Sequence, residues 1–174
     1  MDLRYPIGRV SLPETVDATH IEGWIRDVSE APGLLRKAVE KLSEDQLNTP
    51  YRPEGWTVRQ LVHHLADTHA NTYLNFRSAL IEDGPIIRGV NVDASANLPD
   101  YTSAEIRPSL EMFEGIQTRW ATLLRGMSVS DFERVLKVPD RDDRKLWTLL
   151  GIYAWHAKHH VAHITALCDR MGWK

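Results

Sequence analysis

The chain has 174 residues, 43% hydrophobic and 26% charged, with a formal net charge of −3. That is enough for one domain spanning residues 1–174 with a sizeable core, and the slightly acidic balance excludes the basic footprint of a nucleic-acid-binding protein. No stretch approaches the roughly 18 uninterrupted apolar residues of a membrane span, and the single cysteine, Cys168, rules out an internal disulfide. The opening "MDLRYPIGRVSLPE" lacks the apolar segment of a signal peptide, so the expected location is the cytoplasm.

Four segments carry helical periodicity and none reads as a strand ladder. The first is expected over residues 19–42, where Thr19 and Glu22 offer a capping box and Pro32 should kink or split the helix. "SEDQL" repeats the capping pattern as a short extra turn, and "NTPYRPEG" reads as a loop. The second helix begins at Thr57, with Gln60 as reciprocal partner, and stops at Asp83-Gly84-Pro85. Residues 85–101 have little periodicity. The third helix is expected over 103–127, with Pro108 moving its start towards Arg107, and a short turn at "SDFERVL" follows. The fourth runs over 147–171, with Gly172 as its stop. This pattern predicts an all-α four-helix bundle, and the 17-residue stretch 85–101 is long enough for a crossover that leaves the middle helices parallel.

Four of the eight histidines fall between His156 and His163. At 100° per residue, His156, His160 and His163 lie in the stripe formed by Leu149, Ile152, Tyr153, Ile164, Leu167 and Met171, with His159 at its border. On the second helix His69 lies inside the apolar stripe, while His64 and His63 flank it. A buried imidazole without partners costs about 1–3 kcal/mol, and a metal ion can satisfy several at once. His156 and His160, four residues apart, can share one ion. A third histidine from the second helix would leave a position open for water or substrate, as in a catalytic zinc site. Periodicity ranks His69 above His64 for that third ligand. His63 and His159 read as core or supporting residues, His20 as surface, and Cys168 as a small hydrophobe. No general base emerges: Asp67 points outward by the wheel, and Glu54 and Asp143 lie on loops.

"GWTVRQLVHHLADTH" (55–69) and "YAWHAKHHVAHI" (153–164) together resemble the two signature segments of the DinB-like superfamily, and "LRYPIG" and "DRMGW" extend the resemblance to its YfiT-type metal-dependent hydrolases. The resemblance implies an up-down-down-up bundle holding one divalent ion, zinc or nickel, through His64, His156 and His160. It also implies a small-molecule substrate, and related S-transferases add a low-molecular-weight thiol such as bacillithiol as an alternative partner. Two further readings stay open: a closed, non-catalytic metal staple with His163 or His69 as fourth ligand, and a metal-free bundle. The resemblance and the six tryptophans also predict a homodimer. Sedimentation equilibrium at micromolar concentration should give twice the chain mass, and a monomer mass would refute the dimer.

Overall fold

The computed structural model describes residues 2–87, 89–139 and 142–173. Its long helices are α1 (Ala18–Val39), α3 (Val58–Ile81), α6 (Arg107–Arg125) and α7 (Leu146–Met171). Short helices α2 (Glu44–Leu47), α4 (Val92–Ser95) and α5 (Pro99–Ser103) lie in the connections, so the segment expected to lack periodicity holds two single turns. A 3-10 turn, Val129–Glu133, overlaps the first half of "SDFERVL". The described residues also contain a minimal antiparallel ladder, β1 (Val135–Leu136) with β2 (Arg144–Lys145), too short to have left a sequence signal.

The caps explain most helix boundaries. Thr57 accepts from the Gln60 amide while the Gln60 side chain accepts from the Thr57 amide, as the sequence predicts. Ser43 and Gln46 do the same for α2. At α1 the capping pair is Asp17 and His20 rather than Thr19 and Glu22, because a carboxylate two residues earlier competes successfully for the free amides. Gly172 ends α7 in the left-handed conformation at φ 69°. Pro32 does not split α1, which runs through it unbroken. Proline removes the donor that the Val28 carbonyl would use, and the Gln117 side-chain amide on α6 donates to that carbonyl at 3.3 Å instead.

α1 packs against α6 and α7, and α3 packs against the same two. One apolar cluster gathers Ile21, Ile25, Val28, Phe76, Trp120, Leu124, Leu149 and Leu150; a second gathers Leu35, Val39, Leu61, Leu65, Phe113, Ile164 and Leu167. In α1 and α7 the chain passes from the first cluster to the second, and in α3 and α6 from the second to the first. The connection after α3 therefore returns along the bundle. Leu65, Phe76, Leu149 and Leu167 are buried as expected; Ile152 is only half-buried and Met171 is exposed.

The start of α3, which carries the histidines, is anchored by Arg59. Its guanidinium is buried and donates to Glu44, to Asn48 Oδ1 at 3.0 Å and to the Ala104 carbonyl at 2.5 Å. One side chain thus ties α3 to α2 and to the end of α5. Arg59→Met keeps the stem but removes every donor, and should cost about 1.5–3 kcal/mol in urea unfolding. A loss below about 0.5 kcal/mol would mean that these bonds contribute nothing net.

Candidate metal centre

A layer of histidines lies where the two apolar clusters meet. His69, fully buried, has its ring centroid 5.0 Å from Phe113 on one side and 5.0 Å from Tyr153 on the other. His64 on α3 and His156 and His160 on α7 turn their rings towards one another. His156 Nε2 is 3.1 Å from His64 Nε2 and 3.1 Å from His160 Nε2. One nitrogen from each ring falls within 4.8 Å of those of the other two, an arrangement that could hold a metal ion. At metal–nitrogen bonds of about 2.1 Å, a nitrogen separation of 3.1 Å corresponds to an angle of roughly 95–100°, between octahedral and tetrahedral values.

Each of the α7 pair is backed by another histidine on its far nitrogen. His156 Nδ1 lies 3.2 Å from His69 Nε2, and His69 Nδ1 lies 3.3 Å from Gln117 Oε1. His160 Nδ1 lies 3.3 Å from His163 Nδ1, and His163 Nε2 donates to the Arg4 carbonyl at 3.1 Å. His64 and His69 thus meet different nitrogens of His156. His64 meets the inward nitrogen of His156, whereas His69 meets the outward one. Trp56 packs on His64 with centroids 4.9 Å apart, and Tyr51 stacks on His163 at 4.0 Å.

Burial keeps these rings neutral. Desolvation pushes His64 down to about 4 and His69 to about 3, and holds His156 and His160 well below the ordinary value. Neutral rings retain the lone pairs a metal needs.

A cavity adjoins the cluster at His160. Its volume is about 480 Å³, and it is lined by Arg4, Tyr5, Tyr51, Arg52, Glu54, Trp56, Asp93, His159, His160 and His163. Glu54 there has φ 56°, the one non-glycine residue with positive φ among those described. The larger groove of about 560 Å³ between α1 and the end of α6 contains none of the histidines. His159, expected at the border of the stripe, is buried at 6% exposure, stacked on Trp155 at 4.2 Å and facing this cavity. His63 is buried too, bonded through Nδ1 to Ser109 Oγ at 2.8 Å. His20 is exposed and serves as the reciprocal cap of α1. Asp67 points outward, accepting from the Tyr101 hydroxyl at 2.6 Å, and Asp143 is not among the residues lining the cavity. Cys168 is half-buried; burial, then the nearby Asp169, push its thiol up, the reverse of an activated nucleophile.

Sequence reasoning missed Gln117. It is fully buried on α6 in the stripe of Leu110, Phe113, Trp120 and Leu124, and a lone glutamine at such a position was the available signal.

Comparison with known proteins places this arrangement in context. The profile of the DinB superfamily matches residues 28–164. The chain belongs to that superfamily. It is 42% identical over 172 residues to a protein of Bacillus cereus (strain AH820) named "Putative metal-dependent hydrolase", covering 99% of each chain. A Bacillus anthracis protein of the same name matches equally, at 42% identity and 99% coverage of each. Among solved structures, YfiT from Bacillus subtilis superposes with a TM-score of 0.96 at 42% identity, covering 100% of both chains. Its description is "a probable metal-dependent hydrolase with an unusual four-helix bundle topology". The superfamily's four-helix bundle is thus the fold of this chain.

The neutral histidines also set a pH dependence. Between pH 6.5 and their lowered folded values, the unfolded chain binds protons that the folded chain refuses, so stability falls as pH falls. For His64, at about 4, and His69, at about 3, the loss should be about 2 kcal/mol together between pH 6.5 and 5.5. Urea unfolding of chelator-treated protein at the two pH values measures it. Equal stability at both would contradict the assignment of buried neutral rings.

Proposed function

We propose that the protein is a metal-dependent hydrolase whose divalent ion, zinc or nickel, is bound by His64, His156 and His160. The observation that carries this reading is the convergence of three neutral imidazoles, with His156 Nε2 at 3.1 Å from both partners. A proton on His156 Nε2 could serve only one of those contacts, and its single lone pair, if bare, could not accept fully from both neighbours. A cation placed among the three lone pairs satisfies them together. The names borne by the Bacillus relatives and by YfiT support the same class of chemistry.

When bound, such an ion lowers the pKa of a coordinated water and polarises a carbonyl group. The chain itself supplies the rest. Trp56 and Tyr51 wall the cluster, and the cavity beside His160 is the route for a small-molecule substrate. Glu54 and Asp93 are the carboxylates lining that cavity, and they are the candidates for accepting a proton during attack. Arg4 and Arg52 line it too and can receive an anionic part of the substrate.

Tag-free protein should contain about one divalent ion per chain by elemental analysis. His156→Ala, His160→Ala and His64→Ala should each lower that content to near zero, while His159→Ala should retain it. Metal loss in His69→Ala together with retention in His64→Ala would show that the ligand set is wrong. Ester and amide hydrolysis should then be compared with conjugation of low-molecular-weight bacterial thiols to an electrophile. Turnover that requires an added thiol would replace hydrolysis by thiol transfer.

A further inference from the structure

The buried contacts behind the cluster form a chain that can be followed proton by proton. Pro32 leaves the Val28 carbonyl on α1 without its usual helical donor, and Gln117 Nε2 supplies one at 3.3 Å. A carbonyl only accepts, so this contact settles which end of the Gln117 amide faces α1. Oε1 is thereby turned to His69 Nδ1, 3.3 Å away, and can only accept from it. The proton of His69 must sit on Nδ1, which leaves Nε2 as an acceptor facing His156 Nδ1 at 3.2 Å. His156 in turn carries its proton on Nδ1, and its inward Nε2 is a bare lone pair.

A second chain reaches the same end from the other side. The Arg4 carbonyl accepts from His163 Nε2, so His163 Nδ1 is an acceptor. His160 Nδ1 donates to it across 3.3 Å, and His160 Nε2 is left bare. In water the proton of a free imidazole can occupy either nitrogen. Here two backbone carbonyls, those of Val28 and Arg4, decide both positions.

We propose that Gln117 and His69 are positioning residues that lock His156 in the tautomer a metal requires, with the Val28 carbonyl exposed by Pro32 as the fixed end of the relay. His163 does the same for His160. The proposal rests on the three-histidine metal reading but makes a separate claim. That claim concerns residues from α1, α3 and α6 that touch no ion, acting on α7. Both Gln117 and His69 are fully buried, so no water competes for these bonds. Outer partners of this kind typically change metal affinity by about 10–100-fold when removed.

The test measures zinc affinity of full-length, tag-free protein by competition with a chromophoric chelator. It also reads the proton positions of the rings by long-range nitrogen–proton NMR on metal-free protein. Gln117→Leu and His69→Phe should each bind zinc about 10–100-fold more weakly while remaining helical by circular dichroism. Gln117→Glu should bind close to the parent, because its carboxyl group still accepts from His69 Nδ1. In the parent, His156 and His160 should both be protonated at Nδ1. In Gln117→Leu, His156 should become a mixture of tautomers while His160 stays as it was, a selective change that general loosening would not produce. Parent-like affinity in both Gln117→Leu and His69→Phe, or a parent His156 protonated at Nε2, would overturn the relay. Should Gln117→Leu fail to fold, His69→Phe, Gln117→Glu and the parent NMR still decide the matter. A parent that takes no zinc would instead refute the three-histidine reading, and the proton positions would still judge the relay by itself.

Discussion

A neutral imidazole carries one donor and one acceptor, and leaving either unpaired when it is buried between helices costs stability. Seven histidines in this bundle are buried or half-buried, with His20 alone exposed. Their demand shapes the interior. The apolar core is divided into two clusters, and the layer between them is polar. Every long helix serves that layer: α1 through the Val28 carbonyl, α6 through Gln117, and α3 and α7 through the rings. Such a layer stabilises less than leucines would, since each unmet contact costs about 1–3 kcal/mol. Its presence therefore points to function rather than to folding.

The charge balance of the layer bears on the chemistry. None of the three converging groups is a carboxylate, and their backing partners are histidines, an amide and backbone carbonyls. Neutral ligands leave the full charge of a divalent ion in place, which favours a hydroxide or an anionic substrate group beside it. At the cavity, negative charge comes from Glu54 and Asp93, which line it together with Arg4 and Arg52. Glu54 is held at φ 56°, a conformation that costs a non-glycine residue of order 1–3 kcal/mol. The following Gly55 leaves no room for a Cβ, which would lie 2.7 Å from Arg52 Cγ. A strained turn that brings a carboxylate to the mouth of a histidine cluster is a feature packing alone does not require.

Much of this was legible in the sequence because it is periodic. The four long helices, the Thr57–Gln60 capping box and the glycine stop at Gly172 follow local rules and appear where those rules put them. The His156–His160 pair was legible for the same reason, since residues four apart share a helix face. His64 was not. It sits on the flank of the stripe, and only the way α3 packs against α7 turns that flank inward. Pro32 misled because the rule that it breaks a helix assumes that nothing replaces the missing hydrogen bond. Here Gln117, 85 residues away, partners the carbonyl that Pro32 leaves free. His159 was placed at the border of the stripe because the wheel could not include Trp155 and Tyr5, whose rings cover it.

The same geometry bears on whether a metal here would be a closed staple or an open site. A closed site needs a fourth protein ligand, and His69 and His163 are the residues close enough to be considered. Each lies against the outward nitrogen of its neighbour: His69 Nε2 at 3.2 Å from His156 Nδ1, and His163 Nδ1 at 3.3 Å from His160 Nδ1. An ion held by the inward Nε2 atoms is separated from both by the width of an imidazole ring. Neither can reach it unless its own hydrogen bond, to Gln117 or to the Arg4 carbonyl, is given up. Of the three converging histidines, His160 also lines the cavity that holds Glu54 and Asp93. In the proposed reading, the contacts that would fix the tautomers also hold His69 and His163 away from the ion. Orienting the ligands and leaving a position open would then be one structural solution.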